Sequence, residues 1–256
     1  MEVKTALIIY FSATGNSKYV AERIAQDCND EICSIMDCNS DITLKPNEML
    51  GIVTPVNWWE LPILTREFLS KLNLKASGKN YVFLAVTYGT TPGCCAEDAR
   101  RVLKAQNITL DASFSVQMPD NWTPIFDLSD PEKVALQNSK AERQIERIIQ
   151  EIQAKKTGNH TQRRTPYFLR HFTDPVLNKE RMTRNFYVED TCIGCGLCAK
   201  KCPVQAIEIA NKKPVWVKEQ CALCLGCLHR CPQFAIQYGD GKTKQHGQYK
   251  NPHTSV

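Results

Sequence analysis

The sequence contains no apolar run long enough to cross a membrane. Its N-terminal hydrophobic stretch, Ala6 to Phe11, is far shorter than the roughly 20 residues that a spanning helix needs. Neither a basic segment nor a small-residue cleavage site flanks this stretch, as a secretory signal would require. We therefore expect a cytoplasmic protein without a membrane span.

Histidine is scarce, with only five residues scattered along the chain. They are His160, His171, His229, His246 and His253. No general base or nucleophile stands out among them, so we predict surface histidines and no catalytic residue.

Cysteine, by contrast, is abundant, with 13 residues. The odd count and the missing signal argue against a disulfide scaffold. Eight of these cysteines form two copies of the pattern C-x2-C-x2-C-x3-C-P: Cys192, Cys195, Cys198 and Cys202, then Cys221, Cys224, Cys227 and Cys231. The other five are Cys28, Cys33, Cys38, Cys94 and Cys95.

The two cysteine runs predict two 4Fe-4S clusters. A cubane cluster needs four soft thiolates around one small volume, and three cysteines spaced by two residues wrap one face of it. Where two such motifs occur together, the fourth cysteine of each ligates the other cluster. One cluster would then use Cys192, Cys195, Cys198 and Cys231, and the other Cys221, Cys224, Cys227 and Cys202. Zinc is the alternative, but it takes two C-x2-C pairs per ion rather than two runs of four closed by proline.

The chain repeats itself from Phe186 onward. Each motif is followed by a proline, a short helical turn and a short strand, which indicates internal duplication. The doubled motif resembles bacterial two-cluster ferredoxins over about residues 186–240. The resemblance implies a small α+β ferredoxin domain.

The first 153 residues alternate apolar strands with amphipathic helices, which predicts an α/β fold with a doubly wound parallel sheet of five strands. The predicted strands are Lys4 to Phe11, Glu31 to Met36, Met49 to Val56, Lys79 to Tyr88 and Ile108 to Gln117. The predicted helices are Asn16 to Cys28, Pro62 to Leu72, Gly93 to Gln106 and Pro131 to Lys155. In such a fold the ligand binds beyond the carboxyl ends of the central strands.

Three loops follow predicted strands at that edge of the sheet. The first is rich in hydroxyls and opens a helix, where free amides and the helix dipole favour a monophosphate. It contains Ser12, Ala13, Thr14, Gly15, Asn16 and Ser17. The second contains Thr54, Pro55, Asn57, Trp58 and Trp59, and the third contains Thr87, Tyr88, Gly89 and Thr90. Taken singly, each loop could be an ordinary turn or core cover.

Together the three loops resemble the phosphate-binding and ring-contacting loops of flavodoxins, and this resemblance implies bound FMN. Over nearly the whole chain, the order of domains resembles the flavodoxin/ferredoxin fusion proteins of the EFR-type ferredoxin family. Residues 118–122 and 249–252 also look like that family. The family implies electron transfer.

The resemblance divides the chain into four parts. Residues 1–156 would be the FMN-binding domain, 157–185 a basic linker, 186–240 the ferredoxin domain and 241–256 a polar tail, mobile or lying on a neighbouring segment. The net charge is +5, and the basic excess is densest in residues 154–185, which contain eight basic and two acidic residues. Two clusters and an FMN phosphate would offset it, so no nucleic-acid partner is predicted.

These features favour an electron carrier that passes electrons between FMN, two clusters and redox protein partners. The alternative is an FMN-dependent reductase of a small organic acceptor, fed by its own ferredoxin domain, with residues 118–130 as a lid or a packing loop. A third reading is a ferredoxin whose flavodoxin domain has lost FMN. Adjacent Cys94 and Cys95 are expected to be buried rather than redox-active.

Overall fold

The computed structural model describes residues 6–28, 31–162 and 165–256. The chain divides into two compact units. The first unit contains residues 6–12, 16–118 and 137–170, and the second contains residues 13–15, 119–136 and 171–256.

The elements of the first 160 residues follow the predicted alternation. The strands are β1 (Ala6–Tyr10), β2 (Glu31–Ser34), β3 (Asp41–Leu44), β4 (Met49–Pro55), β5 (Asn73–Ala76), β6 (Tyr81–Tyr88), β7 (Ala112–Gln117) and β8 (Gly158–Asn159). The helices are α1 (Asn16–Cys28), α2 (Ile63–Ser70), α3 (Cys95–Ala105) and α4 (Pro131–Gln153). Residues 4 and 5 of the first predicted strand lie outside the described residues.

The main sheet is parallel and has the order β2-β1-β4-β6-β7-β8. This confirms the predicted flavodoxin-like class, with six strands instead of five. The additional strand, β8, pairs over two residues, where Gly158 N donates to Asp111 O at 2.8 Å and His160 N to Ser113 O at 2.7 Å. Two residues are too few to produce a hydrophobic pattern, so β8 could not be recognised in the sequence.

The core lies along the central strands. All eight residues of β6 are buried, and six of the seven in β4 are buried, as expected for strands covered on both faces. Strands β3 and β5 form a separate two-stranded parallel sheet that was not predicted. Only Ile42 and Leu44 are buried in β3, and four residues give a weak alternating signal.

The second unit contains the elements around the cysteine motifs. The strands are β9 (Phe186–Val188), β10 (Ile207–Ala210), β11 (Lys213–Trp216) and β12 (Ile236–Tyr238), and the helices are α5 (Arg170–Glu180), α6 (Leu197–Lys200), α7 (Gly226–Arg230) and α8 (Lys242–His246). Strand β9 pairs antiparallel with β12, and β10 with β11. One strand of each pair follows a cysteine motif, which agrees with internal duplication.

The predicted linker is more ordered than a solvated connector, and the tail follows the second of its two predicted alternatives, packing on neighbouring segments. The linker region contains β8 and α5, although its Arg163 and Arg164 lie outside the described residues. In the tail, Thr243, Tyr249 and Asn251 are buried. Among the described helices, none is both long and apolar enough to span a membrane.

Candidate functional site

The eight motif cysteines line two cavities of nearly equal size. Four cysteines line the first, which encloses about 360 Å³ of empty space, part of it open to solvent: Cys192, Cys195, Cys198 and Cys231. The other four line the second, of about 370 Å³: Cys202, Cys221, Cys224 and Cys227. Each cavity therefore combines three cysteines of one motif with the fourth of the other. Within the described ranges, no three His, Cys, Asp or Glu side chains gather tightly enough to hold a single metal ion.

Left-handed backbone positions wrap the two motifs around their cavities. In the first motif these positions are glycines, Gly194 at φ 67° and Gly196 at φ 74°. In the second motif the equivalent positions are Leu223 and Leu225, both at φ 52° and both buried. Left-handed leucines are disfavoured, so burial of their side chains has to compensate for the backbone strain.

The fourth cysteines are held in matching ways. Ala206 N donates to Cys202 Sγ and Ala235 N to Cys231 Sγ, each at 3.3 Å. In both motifs the donor follows the cysteine by four residues. Amides directed at sulfur are the type of contact that tunes a cluster.

The chemistry of these cysteines fits an iron–sulfur cluster. Burial raises the pKa of the Cys221 thiol to about 11, and it also raises the pKa of Cys224 and Cys227. A buried thiolate needs a cationic partner, and a coordinated metal deprotonates a thiol outright. Soft thiolates lining a cavity are the donor set that iron–sulfur clusters take.

Residues of the three predicted flavin loops are joined within the first unit. The hydroxyls of Ser17 and Thr87 lie 2.8 Å apart, which links the start of α1 to the end of β6. Val56 N donates to Thr87 O at 2.9 Å, which links the loop after β4 to the same strand. Residues from all three loop sequences therefore meet at the carboxyl edge of the sheet.

The tryptophan loop is fixed by backbone contacts. Cys94 N donates to Trp59 O at 2.7 Å, and a β-carbon at Gly93 would lie only 2.0 Å from that oxygen. Trp58 and Trp59 both adopt left-handed φ, 48° and 67°, and Trp59 is 44% exposed. Strained bulky residues of this kind mark functional loops, and an exposed indole offers a flat surface for a ring system.

The turn of residues 13–15 belongs to the second unit and is held by residues distant in sequence. Asn121 Nδ2 donates to Thr14 Oγ1 at 2.7 Å, and Asn251 N donates to Thr14 O at 2.7 Å. Thr14 is 2% exposed and Asn251 3%. Neither asparagine was predicted to contact this turn, although the two segments in which they lie were singled out in the sequence.

His229 corrects the prediction of surface histidines, because its side chain is fully buried. Its Nε2 lies 2.8 Å from Asn121 O, and its Nδ1 accepts from Tyr249 N at 3.1 Å. Desolvation lowers the pKa of His229 to about 4. The helix that contains His229 packs in the interior. In the sequence, only the position between Cys227 and Cys231 indicated that His229 would be buried.

Residues 119–130, the predicted lid or packing loop, are anchored. Trp122 packs edge-on against Tyr238 with ring centroids 5.2 Å apart. His246 Nδ1 lies 2.6 Å from Thr123 O, and Leu128 N donates to His246 O at 2.8 Å. These contacts favour a packing loop over a lid.

A cluster of two acids and two arginines was missed in the sequence. Arg66 forms ion pairs with Asp98 and with Glu60, the latter at 3.2 Å. Arg170 pairs with Glu60 at 2.9 Å and with Asp98 at 3.1 Å. The carboxylates are at most 2% exposed. Arg170 therefore belongs to the interior of the first unit, whereas the sequence indicated a solvated linker.

Cys94 and Cys95 are buried, as expected. Burial raises the pKa of the Cys94 thiol to about 11 and that of Cys95 well above its usual value. Both therefore remain thiols at neutral pH.

Family comparison matches residues 7–147 to the flavodoxin domain and residues 184–250 to the 4Fe-4S dicluster domain. Among solved structures, the chain is similar to a flavodoxin from Streptococcus pneumoniae TIGR4, with 16% identity and a TM-score of 0.38 over 59% of this chain and 98% of that one. A flavodoxin from the domain Archaea has 14% identity and a TM-score of 0.37 over 59% and 98%.

The chain is also similar to part of rubredoxin oxygen:oxidoreductase from Desulfovibrio gigas, with 13% identity and a TM-score of 0.34 over 59% of this chain and 36% of that one. Comparison with the curated proteins gives no match. The fold assignment rests on the sheet topology rather than on these similarities.

The flavodoxin match implies FMN, and the dicluster match implies iron–sulfur clusters. Together they give the chain an FMN and iron–sulfur electron-transfer role. Because the first match extends over residues 7–147, more than half of the chain, the protein belongs to the flavodoxin domain family and has a 4Fe-4S dicluster domain after the flavodoxin domain.

Proposed function

We propose that the protein is an electron carrier that exchanges electrons between FMN and two 4Fe-4S clusters, and on to redox protein partners. The observation that carries the proposal is the pair of cavities, each lined by four cysteines drawn from both motifs. FMN exchanges two electrons or one when bound, whereas each cluster exchanges one.

The cysteines would bind the clusters as the cavities group them. Cys192, Cys195, Cys198 and Cys231 would hold one cluster, and Cys202, Cys221, Cys224 and Cys227 the other. The paired amides of Ala206 and Ala235 support this assignment, because they make the same contact with the fourth cysteine of each motif.

The three loops would bind FMN. Ser12, Thr14 and Ser17 would donate hydroxyls to the phosphate, and Gly15, at φ 101°, lets the backbone approach it. Trp58 and Tyr88 would flank the ring, and the remaining residues of the loops would shape the site: Ala13, Asn16, Thr54, Pro55, Asn57, Trp59, Thr87, Gly89 and Thr90.

The protein groups at these sites would bind and orient the cofactors and exclude water from them. His229 has both ring nitrogens engaged and Cys94 is a buried thiol, so neither is available as a general base or nucleophile. The FMN-binding domain would extend over residues 1–156 and the ferredoxin domain over residues 186–240, with the connecting segment and tail packed as described above.

The cofactor content tests this proposal. Anaerobic purification, with iron, sulfide and flavin quantified together, should give about eight iron atoms, eight sulfides and one FMN per chain. Cys198→Ser should lower the iron content, whereas Cys33→Ser, outside both motifs, should leave it unchanged. A chain that binds zinc in place of iron, or that carries clusters but no releasable flavin, would contradict the proposal.

Turnover separates the carrier from the alternative reductase. Protein reduced through its clusters should pass electrons to a small redox protein in rapid mixing. It should show no multiple-turnover reduction of quinones under the same conditions. The anchored loop of residues 119–130 supports this expectation, since it is not arranged as a substrate lid.

A further inference from the structure

Residues 249–256, here called the tail segment, pack directly on the turn of residues 13–15. A β-carbon at Gly15 would lie 2.8 Å from Cβ of Asn251 and 3.1 Å from methyl carbons of Thr254 and Val256. Gly15 is itself buried and has φ 101°. The contact therefore requires glycine for two reasons, its backbone conformation and the space taken by the tail segment.

Hydrogen bonds fix the register of this contact. Asn251 N donates to Thr14 O at 2.7 Å, and the side chain of Asn251 accepts from His253 N at 3.0 Å, which turns the chain back toward Gly15. Tyr249, two residues before Asn251, is anchored by His229 at 3.1 Å. The tail segment is thus held at both ends of the bend.

The hydroxyl of Thr14 in this turn is positioned to donate a hydrogen bond. Thr14 Oγ1 accepts from Asn121 Nδ2 at 2.7 Å, so its own proton is directed elsewhere. A hydroxyl that already accepts from an amide is well placed to donate to an anion at the start of α1.

Thr254 supplies a second hydroxyl at this place. Its Oγ1 is buried and has no hydrogen-bond partner among the described residues, while its methyl group packs at the Gly15 position. A buried hydroxyl without a partner is costly, so a group that accepts its proton would be stabilised there. A phosphate has three oxygens that accept hydrogen bonds.

From these contacts we propose that the tail segment forms one wall of the FMN phosphate site and that Thr254 donates its hydroxyl to the phosphate. This inference rests on the proposed binding of FMN by the first loop. Asn251 acts as a positioning residue through Thr14, and Asn121 orients the hydroxyl of Thr14 from the other side.

Titration of full-length protein, with both clusters intact and flavin removed, tests the role of Thr254. Flavin fluorescence quenching would give the affinity for FMN and for riboflavin, which lacks the phosphate. Thr254→Val keeps the shape and removes the hydroxyl, and Thr157→Val, at an exposed threonine outside the tail segment, is the matched control. We expect Thr254→Val to weaken FMN binding about tenfold, as for one hydrogen bond to a charged group, and to leave riboflavin binding and the control unchanged.

Removal of residues 250–256 tests the wall as a whole. It should weaken FMN binding more than Thr254→Val does, with cluster absorbance retained as the check on folding. In the intact protein, FMN should slow hydrogen exchange in residues 249–256, and Thr254→Val should reduce that protection.

Three results would overturn the inference: unchanged FMN affinity in Thr254→Val, equal losses for FMN and riboflavin, or tighter FMN binding after removal of residues 250–256. The last would make the tail segment a plug in the site. Failure of the intact protein to bind FMN at all would instead contradict the proposed function, so the two failures are distinguishable.

Discussion

At the scale of single residues, the two cysteine motifs reach the same backbone path with different side chains. Gly194 and Gly196 adopt left-handed φ without strain, whereas Leu223 and Leu225 adopt it at a cost that burial offsets. The duplication is therefore conserved in conformation rather than in residue type.

Gly194 and Gly196 make a matched pair for mutation. Replacing either glycine with alanine would lower the free energy of unfolding by about 1 kcal/mol, because both positions have positive φ. At Gly194 the added β-carbon would also lie 2.6 Å from Lys212 O, whereas at Gly196 the nearest atom would be 3.8 Å away. We therefore expect Gly194→Ala to lower the temperature of cluster loss, followed by absorbance on heating, clearly more than Gly196→Ala. Equal shifts would contradict the role of the Lys212 contact.

At the scale of elements, α3 is fixed by the buried cluster of Glu60, Arg66, Asp98 and Arg170. Asp98 and Glu97 both lie in the first turn of the helix, but they differ in burial: Asp98 is 1% exposed and Glu97 31%. Glu97 pairs on the surface with Arg100 and Arg101, which lower its pKa to about 2. Two adjacent acids therefore have unequal structural roles.

Substitutions of Asp98 and Glu97 should show how differently the two acids contribute to stability. Asp98→Asn leaves two partly buried arginines with one carboxylate, and we expect a loss of about 3 kcal/mol in the free energy of unfolding. Glu97→Gln removes an exposed ion pair and should cost less than about 1 kcal/mol. Urea unfolding followed by circular dichroism would measure both. A loss in Glu97→Gln as large as that in Asp98→Asn would refute this assignment.

At the scale of the whole molecule, the sequence predicted what short-range patterns can encode. The apolar runs of β4 and β6 and the cysteine spacing were sufficient for the fold class and the two motifs. The two-residue strand β8, the burial of His229, the pairing of Arg170 and the packing of Asn251 on Thr14 depend on partners distant in the chain. No local pattern reports such partners, so the structure was needed to find them.

Because each cavity combines cysteines of both motifs, the iron content of a double mutant should depend on which cavities its two cysteines line. Cys198→Ala with Cys231→Ala should remove ligands from one cavity only and retain about four iron atoms per chain. Cys198→Ala with Cys202→Ala, both in the first motif, should affect both cavities and lose both clusters. Iron analysis after anaerobic purification distinguishes the pairs. The reverse result would mean that each motif holds its own cluster.

The hydrogen bonds of Thr14 also limit how this chain can be divided. A fragment that stops at residue 156 would keep most of the main sheet but would lack Asn251, while Asn121 would lose the His229 ring that contacts its carbonyl. Exchanging the ferredoxin half for that of another protein would remove the same support. Asn121, His229 and residues 249–256 would therefore have to be transplanted together with residues 13–15, which they support.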